Sequence, residues 1–268
     1  MWQHLKAGWQ ARRDDAAVAR RPIADDLWKR TLVRYPFLRR RDPADAAELR
    51  RLASLFLDRK EFTALGGLRL DNHVVVAIAA QACLPVLRLG LGRYDGFVGI
   101  VVHPDQVLAR RAVSDDDGVV HEYDELISGE AMDGGPVMLS WRDVRAAGQS
   151  APLGYNVVIH EFAHVLDMAD GVADGVPLLP SDLPLREWQT TLADEYKRFA
   201  ERVDADEDTA LDPYGAQSAE EFFAVASEAF FTAPTTMKSE HPALYAMFAR
   251  FYRQDPAADN PCGTLPPD

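Results

Sequence analysis

The chain has 268 residues, 47% of them hydrophobic, a formal net charge of −13 and two cysteines. That length buries a sizeable core in one large domain or two small ones, while Cys83 in an apolar run and Cys262 near the end are too few for a disulfide framework. The longest apolar run, Val74 to Leu87, contains Gln81 and Pro85 and is too short to span a membrane, and Met1-Trp-Gln-His-Leu does not begin a secretory signal, so a cytoplasmic protein with no membrane contact is expected.

Charge is segregated along the sequence. Residues 1–60 hold 15 of the 29 Lys and Arg but only 8 of the 42 Asp and Glu. The acidic remainder argues against direct nucleic-acid binding. Arg12-Arg13, Arg20-Arg21 and Arg39-Arg40-Arg41 are expected on solvated helix faces or paired with the protein's own acids.

Residues 1 to about 21 show little apolar periodicity beyond Trp2, Leu5 and Trp9, which predicts a basic tail or a loosely attached helix. Asp25 to Tyr35 and Pro43 to Phe62 carry apolar residues at helical spacing, among them Leu49, Leu52, Leu55 and Phe56, and predict two helices. Gly66-Gly67 turns the chain, and Val74 to Leu87, apolar nearly all round, predicts a buried helix ending near Pro85. Phe97 to Val102 predicts a strand stopped by His103-Pro104, and as a sheet edge it would offer unpaired N–H and C=O groups to an extended peptide. Val113 to Gly135, with Asp115-Asp-Asp117, reads as a long loop or hairpin, a length at which loops often serve as lids. Within it His121-Glu122 begins like a metal motif, but position 125 is Glu and no zinc role follows.

Val137 to Trp141 predicts a short strand and Asp143 a helical turn. A helix from Asn156 is expected to stop at Asp170-Gly171, followed by the Pro-rich loop Asp174 to Pro184. Further helices are expected over Arg186 to Val203, Ser218 to Phe231 and His241 to Tyr252. The organisation expected is an N-terminal helical segment, 1–60, packed on a body of residues 61–255, with a disordered Pro-rich tail, 256–268.

One stretch resists explanation as packing. Asn156-Val-Val-Ile-His160-Glu161-Phe-Ala-His164-Val-Leu-Asp167 reads H-E-x-x-H. At about 100° and 1.5 Å per residue, His160 and His164 stand one turn apart, offset by roughly 40° and 6 Å, so both imidazoles can close on one ion. Glu161, a quarter turn round, suits a carboxylate that touches the reacting water rather than the metal. With 7 His in the chain, chance supplies such a motif about 0.01 times, and the apolar flanks Phe162, Ala163, Val165 and Leu166 belong to a helix sunk in a core. Nitrogen and oxygen donors point to Zn2+ over magnesium or calcium.

A catalytic zinc normally takes three protein ligands. Spacing offers Asp167 and Asp170 nearby, and Glu221 in the distant Ser218-Ala-Glu-Glu221-Phe-Phe-Ala-Val-Ala-Ser-Glu228. The plainer reading of Ser218 and Glu221 is a capping box. Glu221, Val225 and Glu228 share one helix face, which suits a ligand with a partner that orients a histidine.

Over nearly its whole length the sequence resembles the Mlc titration factor A family of zinc peptidases, through Lys60-Glu-Phe-Thr-Ala-Leu-Gly-Gly67, Ala79-Ala-Gln-Ala-Cys-Leu-Pro85, Gly135-Pro-Val-Met-Leu-Ser-Trp141, the H-E-x-x-H stretch, Asp212-Pro-Tyr214-Gly and Glu221-Phe-Phe-Ala-Val-Ala-Ser-Glu228. Tyr214-Gly with Ala219-Glu-Glu221-Phe-Phe also looks like the active-site end of the anthrax lethal factor catalytic domain. The resemblance implies an α+β, zincin-like metallopeptidase fold, mostly helical, with a small sheet beside the active-site helix. It implies one catalytic Zn2+ on His160, His164 and Glu221, with Glu161 as base and Tyr214 facing the reacting carbonyl. Glu220 is the neighbouring alternative to Glu221. The implied activity is gluzincin-like hydrolysis of a peptide or protein substrate, in the manner of an aminopeptidase, and the implied partner is a glucose-responsive transcriptional repressor of the Mlc kind. The competing expectation is a non-catalytic repressor-binding protein with a vestigial zinc site. A structural zinc domain is disfavoured, because such sites use four protein ligands rich in cysteine.

Overall fold

The computed structural model describes residues 2–39, 41–114 and 120–258. These form an α+β architecture, mostly helical with a small sheet. The acidic stretch Asp115 to Asp117, Arg40, and the expected tail from residue 259 on, Cys262 included, lie outside the described residues.

The chain opens with α1 (Trp2–Arg20), α2 (Asp25–Arg34) and α3 (Pro43–Arg59). In α3 Asp42 accepts a hydrogen bond from the Asp45 N–H at 2.9 Å and Pro43 occupies the first turn, where its missing N–H costs nothing. Of the two forms anticipated for this segment, a tail or a loosely attached helix, α1 is a helix. It buries Ala17 and is clipped to α3 by Arg20 to Asp58 and Arg59 to Asp14, both at 2.8 Å. Among its described side chains, Ala17 and Val18 meet the core and ion pairs do the rest, too little for an apolar stripe to show as periodicity.

The sheet has the order β1-β2-β6-β5, with β1 (Glu61–Ala64), β2 (Gly99–His103) and β6 (Val137–Ser140) parallel and β5 (Gly129–Ala131) antiparallel to β6. The expectation that the strand around Phe97 to Val102 is an edge is corrected here. Val101 pairs with both Thr63 and Met138, so β2 is central, and β5 is the edge on the side of the metal-motif helix. Composition signalled a strand but carries no information about its neighbours. Between β2 and β5, β3 (Val107–Ser114) and β4 (Val120–Ile127) form an antiparallel ribbon in register from Val107↔Ile127 to Ser114↔Val120.

α5 (Trp141–Ser150), capped by Ser140, and α6 (Val157–Asp167), capped by Asn156, pack on the sheet, and α4 (Asn72–Ala82), capped by Asp71, packs on α3 and α6. α5 is a complete helix where a single turn was expected. The C-terminal part is α7 (Leu185–Asp204), α8 (Ala219–Thr232), α9 (Pro234–Glu240) and α10 (Pro242–Tyr252). α9, absent from the sequence expectation, begins at Pro234, whose fixed φ suits a first helical turn. None of the described helices is long and apolar enough to cross a membrane.

One core runs from Ala17 of α1 to Tyr252 of α10. Phe162 of α6 sits among Phe56, Tyr94 and Phe97, at ring-centroid distances of 5.6, 4.9 and 5.8 Å, and Phe223 of α8 packs against Trp188, Phe248 and Phe251. The two helices are thus held by large rings on their far sides.

The N-terminal segment docks on α5 through backbone carbonyls. The Arg34 guanidinium donates to the Arg145 carbonyl at 2.9 Å and the Tyr35 hydroxyl to the Val144 carbonyl at 3.1 Å. A Cβ at Gly148 would stand 1.9 Å from the Arg34 carbonyl oxygen. Alanine ordinarily stabilises a helix interior over glycine by about 0.5–1 kcal/mol. Gly148→Ala is expected instead to destabilise by about 1–3 kcal/mol through overpacking, read as a lower urea midpoint. A midpoint at or above wild type would show that α2 does not press on α5.

Candidate metal centre

Asn156 shapes the entry to α6. Its side-chain oxygen accepts from the Ile159 N–H at 3.0 Å, satisfying one of the orphan donors of the first turn, and its amide nitrogen donates to Gln81 Oε1 at 2.9 Å inside the core. The backbone N–H of Asn156 donates to Glu228 Oε2. The other Glu228 oxygen lies 2.8 Å from His160 Nδ1. An ionised carboxylate only accepts, so Nδ1 carries a proton towards Glu228, and in the neutral ring that can bind a cation the lone pair is on Nε2.

That lone pair has company. His160 Nε2 is 3.1 Å from His164 Nε2 and 3.1 Å from Glu221 Oε2, which is 3.4 Å from His164 Nε2. Two tetrahedral ligands at about 2.0–2.1 Å from one ion lie roughly 3.3–3.4 Å apart, so the three atoms are spaced as such ligands require. Glu221 Oε2 is shut away from water without a properly directed hydrogen bond of its own, a costly arrangement unless a cation satisfies it. Among the described residues these three form the group of His, Cys, Asp and Glu able to share an ion.

The alternative carboxylates are elsewhere. Asp167 is buried and accepts from the Gly175 N–H at 2.9 Å; Asp170 is exposed and accepts from the Val172 N–H at 3.1 Å. Glu220 precedes Glu221 on α8 and is outside the group. Ser218 does cap α8, taking the Glu221 N–H at 3.3 Å, while the Glu221 carboxylate turns to the histidines instead of completing a capping box.

Electrostatics separate the acids by environment. Burial favours the neutral form of Glu221, but the close approach of the His160 and His164 imidazoles outweighs it and brings the carboxyl down to about 2. Burial pushes Glu161 up to about 7, tempered by the two imidazoles, and Glu161 is only 5% exposed. Burial would discharge His160, yet Glu221 and Glu228 hold it well above the usual imidazole range. A carboxyl that exchanges its proton near neutrality can act as acid or base.

Glu161, His160, Glu228, Val225 and Tyr214 line one cleft of about 280 Å³, closed on its other side by the end of β4 and by Gly129 of β5. Tyr214 is 39% exposed and its ring centre is 6.0 Å from that of His160. It rides on the turn Pro213–Ala216, begun by Asp212, which accepts from the Tyr214 N–H at 2.9 Å. Tyr155 and Gly129 also line the cleft and were not singled out from the sequence. The glycine alone carried a local signal, since glycine in a strand often marks close approach.

Residues 8–253 match the family described as glucose-regulated metallo-peptidase M90. The chain belongs to that family. It is 36% identical over 258 residues to Mlc titration factor A of Klebsiella pneumoniae (strain 342), covering 94% of this chain and 92% of the relative. Identity to Mlc titration factor A of Edwardsiella ictaluri is 40% over 211 residues, 76% of this chain and 78% of the relative. An uncharacterized protein of Synechocystis is 36% identical over 224 residues, 83% of this chain and 82% of the relative. Membership of a metallopeptidase family implies a metal ion and peptide substrates, and the His-His-Glu group supplies a donor set fit for the ion.

Glu228 gives the M90 site a test independent of activity. Glutamine there offers one acceptor oxygen to two donors, His160 Nδ1–H and the Asn156 N–H. Glu228→Gln is expected to weaken metal affinity about 10- to 100-fold, measured by chelator competition, with an unchanged circular dichroism spectrum. Affinity equal to wild type would mean that Glu228 does not orient His160.

Proposed function

We propose that this M90 protein is a zinc-dependent peptidase of zincin-like fold, with one Zn2+ held by His160, His164 and Glu221 in the gluzincin manner. The observation that carries the reading is the convergence of three ligand atoms from the half-buried His160, His164 and Glu221 of α6 and α8, at 3.1–3.4 Å from one another, next to the buried Glu161 carboxyl that lines a cleft with His160. Imidazole and carboxylate donors suit zinc. When bound, zinc supplies Lewis acidity, polarising the scissile carbonyl and making a water nucleophilic near neutral pH.

The chain's own residues do the rest. Glu228 keeps the His160 proton on Nδ1 and so keeps Nε2 available. Glu161 takes the proton of the attacking water and delivers it to the leaving amine, which becomes a good leaving group only once protonated. Tyr214 donates its hydroxyl hydrogen to the carbonyl oxygen as negative charge develops there. The edge of β5 offers backbone groups to an extended peptide. Free amino termini, as for an aminopeptidase, are one form such a substrate can take.

A second reading comes from the name carried by the relatives, Mlc titration factor A. In it the protein acts by binding a glucose-responsive transcriptional repressor, and the zinc site is vestigial. The two readings separate at Glu161.

Glu161→Gln is expected to bind one zinc per chain and to lose about 10²–10⁴-fold in kcat on a peptide substrate, and Glu221→Ala to lose zinc, both followed by metal analysis and peptide hydrolysis. Unchanged hydrolysis by the glutamine variant would remove Glu161 as base. Unchanged zinc content in the alanine variant would move the third ligand elsewhere. Tyr214→Phe should lower kcat by about 10²-fold with KM nearly unchanged, the pattern of a donor used only as charge develops; a change confined to KM would make it a binding residue.

A further inference from the structure

Strand β5 meets α6 at Gly129, and the contact is with one side chain. A Cβ added to Gly129 would stand 2.4 Å from Glu161 Oε1, 2.6 Å from its Cγ and 2.7 Å from its Cδ. Real Cβ atoms do not approach other atoms so closely, so either the strand or the Glu161 carboxyl would have to move. The strand is tied on its far side, where Gly129 pairs with Leu139 and the Ser140 N–H donates to the Ser128 carbonyl at 2.7 Å. The Glu161 side chain is what gives.

Glycine weakens a strand, so its presence calls for a reason. A permissive backbone is not the reason, because Gly129 is outside the set of residues with positive φ. Ladder pairing is not the reason either, since any residue but proline pairs as Gly129 does with Leu139. What remains is close approach to the Glu161 carboxyl.

We infer that Gly129 is a positioning residue: its missing side chain lets the edge strand lie directly on Glu161 and sets where that carboxyl stands in the cleft. The inference rests on the reading of Glu161 as the base. It adds a determinant on a different element from the metal ligands, so metal binding and base placement become separable. A side chain at residue 129 displaces the carboxyl by an ångström or more while His160, His164 and Glu221 remain in place. Misplacement of that size in a reacting group costs about 10²-fold in rate.

The test is Gly129→Ala in the full chain, alone and combined with Glu161→Ala, which removes the three atoms nearest the new methyl. The single variant is expected to keep one zinc per chain, to change KM by less than about threefold and to lose about 100-fold in kcat. It is also expected to lower the melting temperature in the wild-type background and not in the Glu161→Ala background, because the clash partner is gone there. A kcat within threefold of wild type, or the same melting shift in both backgrounds, overturns the inference. A zinc-loaded wild type without peptidase activity would instead remove the peptidase reading, and the melting cycle would still decide whether residue 129 sets the place of the carboxyl.

Discussion

Glu228 is the interaction on which the site depends. It sits on α8, 1% exposed, and its two oxygens reach across to the N-terminus of α6, one to His160 Nδ1 and the other to the Asn156 N–H. A carboxylate so deep is costly, and burial does push its proton affinity up; the opposing hydrogen bonds from His160 and Asn156 make the position tenable. The arrangement is self-consistent in a way that fixes geometry. Glu228 needs both donors, Asn156 must stand at the helix start to provide one, and His160 must present Nδ1 to provide the other. Its Nε2 is then directed at Glu221, two turns before Glu228 on the same helix.

The surrounding packing makes this pairing rigid. α6 is apolar on the faces away from the cleft, with Phe162 inside a cage of three rings, and α8 is buried along nearly its whole length. Neither helix can slide by a residue without ejecting a phenylalanine from a close-packed interior. Precision at the histidines is therefore inherited from aromatic packing several ångströms away. The basic N-terminal segment belongs to the same construction: α3 contributes Phe56 to the cage, and α2 buttresses α5, which packs beside α6.

The sequence made the site more legible than the sheet. His160, Glu161 and His164 are fixed by helix periodicity, and Glu221 with Glu228 by a carboxylate pair two turns apart on an apolar helix, so local spacing sufficed to bring each pair to one face. What spacing could not supply was which of Glu221, Asp167 and Asp170 lies against the two imidazoles, because that depends on how α6 and α8 cross. The central position of β2, the edge position of β5 and the contact between Gly129 and Glu161 were illegible for the same reason, being properties of strand order and not of strand composition. α1 was left undecided between tail and helix because, among its described side chains, only Ala17, Val18 and ion pairs tie it to the rest; α9 escaped because its seven residues are too few for periodicity to speak.

Asp167, passed over as a neighbour of the histidines, has its own place in this logic. It stands at the far end of α6, buried, and takes the Gly175 N–H at 2.9 Å, while burial pushes its carboxyl up to about 7. Gly175 has φ +78 and is packed so closely that a Cβ would lie 2.7 Å from the carbonyl oxygen of Ala219, the first residue of α8. Only glycine meets both demands. The end of α6 is thus joined through Asp167 and Gly175 to the beginning of α8, just as the beginning of α6 is joined through Asn156 and His160 to Glu228 further along α8. Two carboxylates, one at each end of α6, hold the helices in opposite directions past each other. The turn of α8 that carries Glu221 lies between these two attachments, where its displacement relative to both histidines is most restricted.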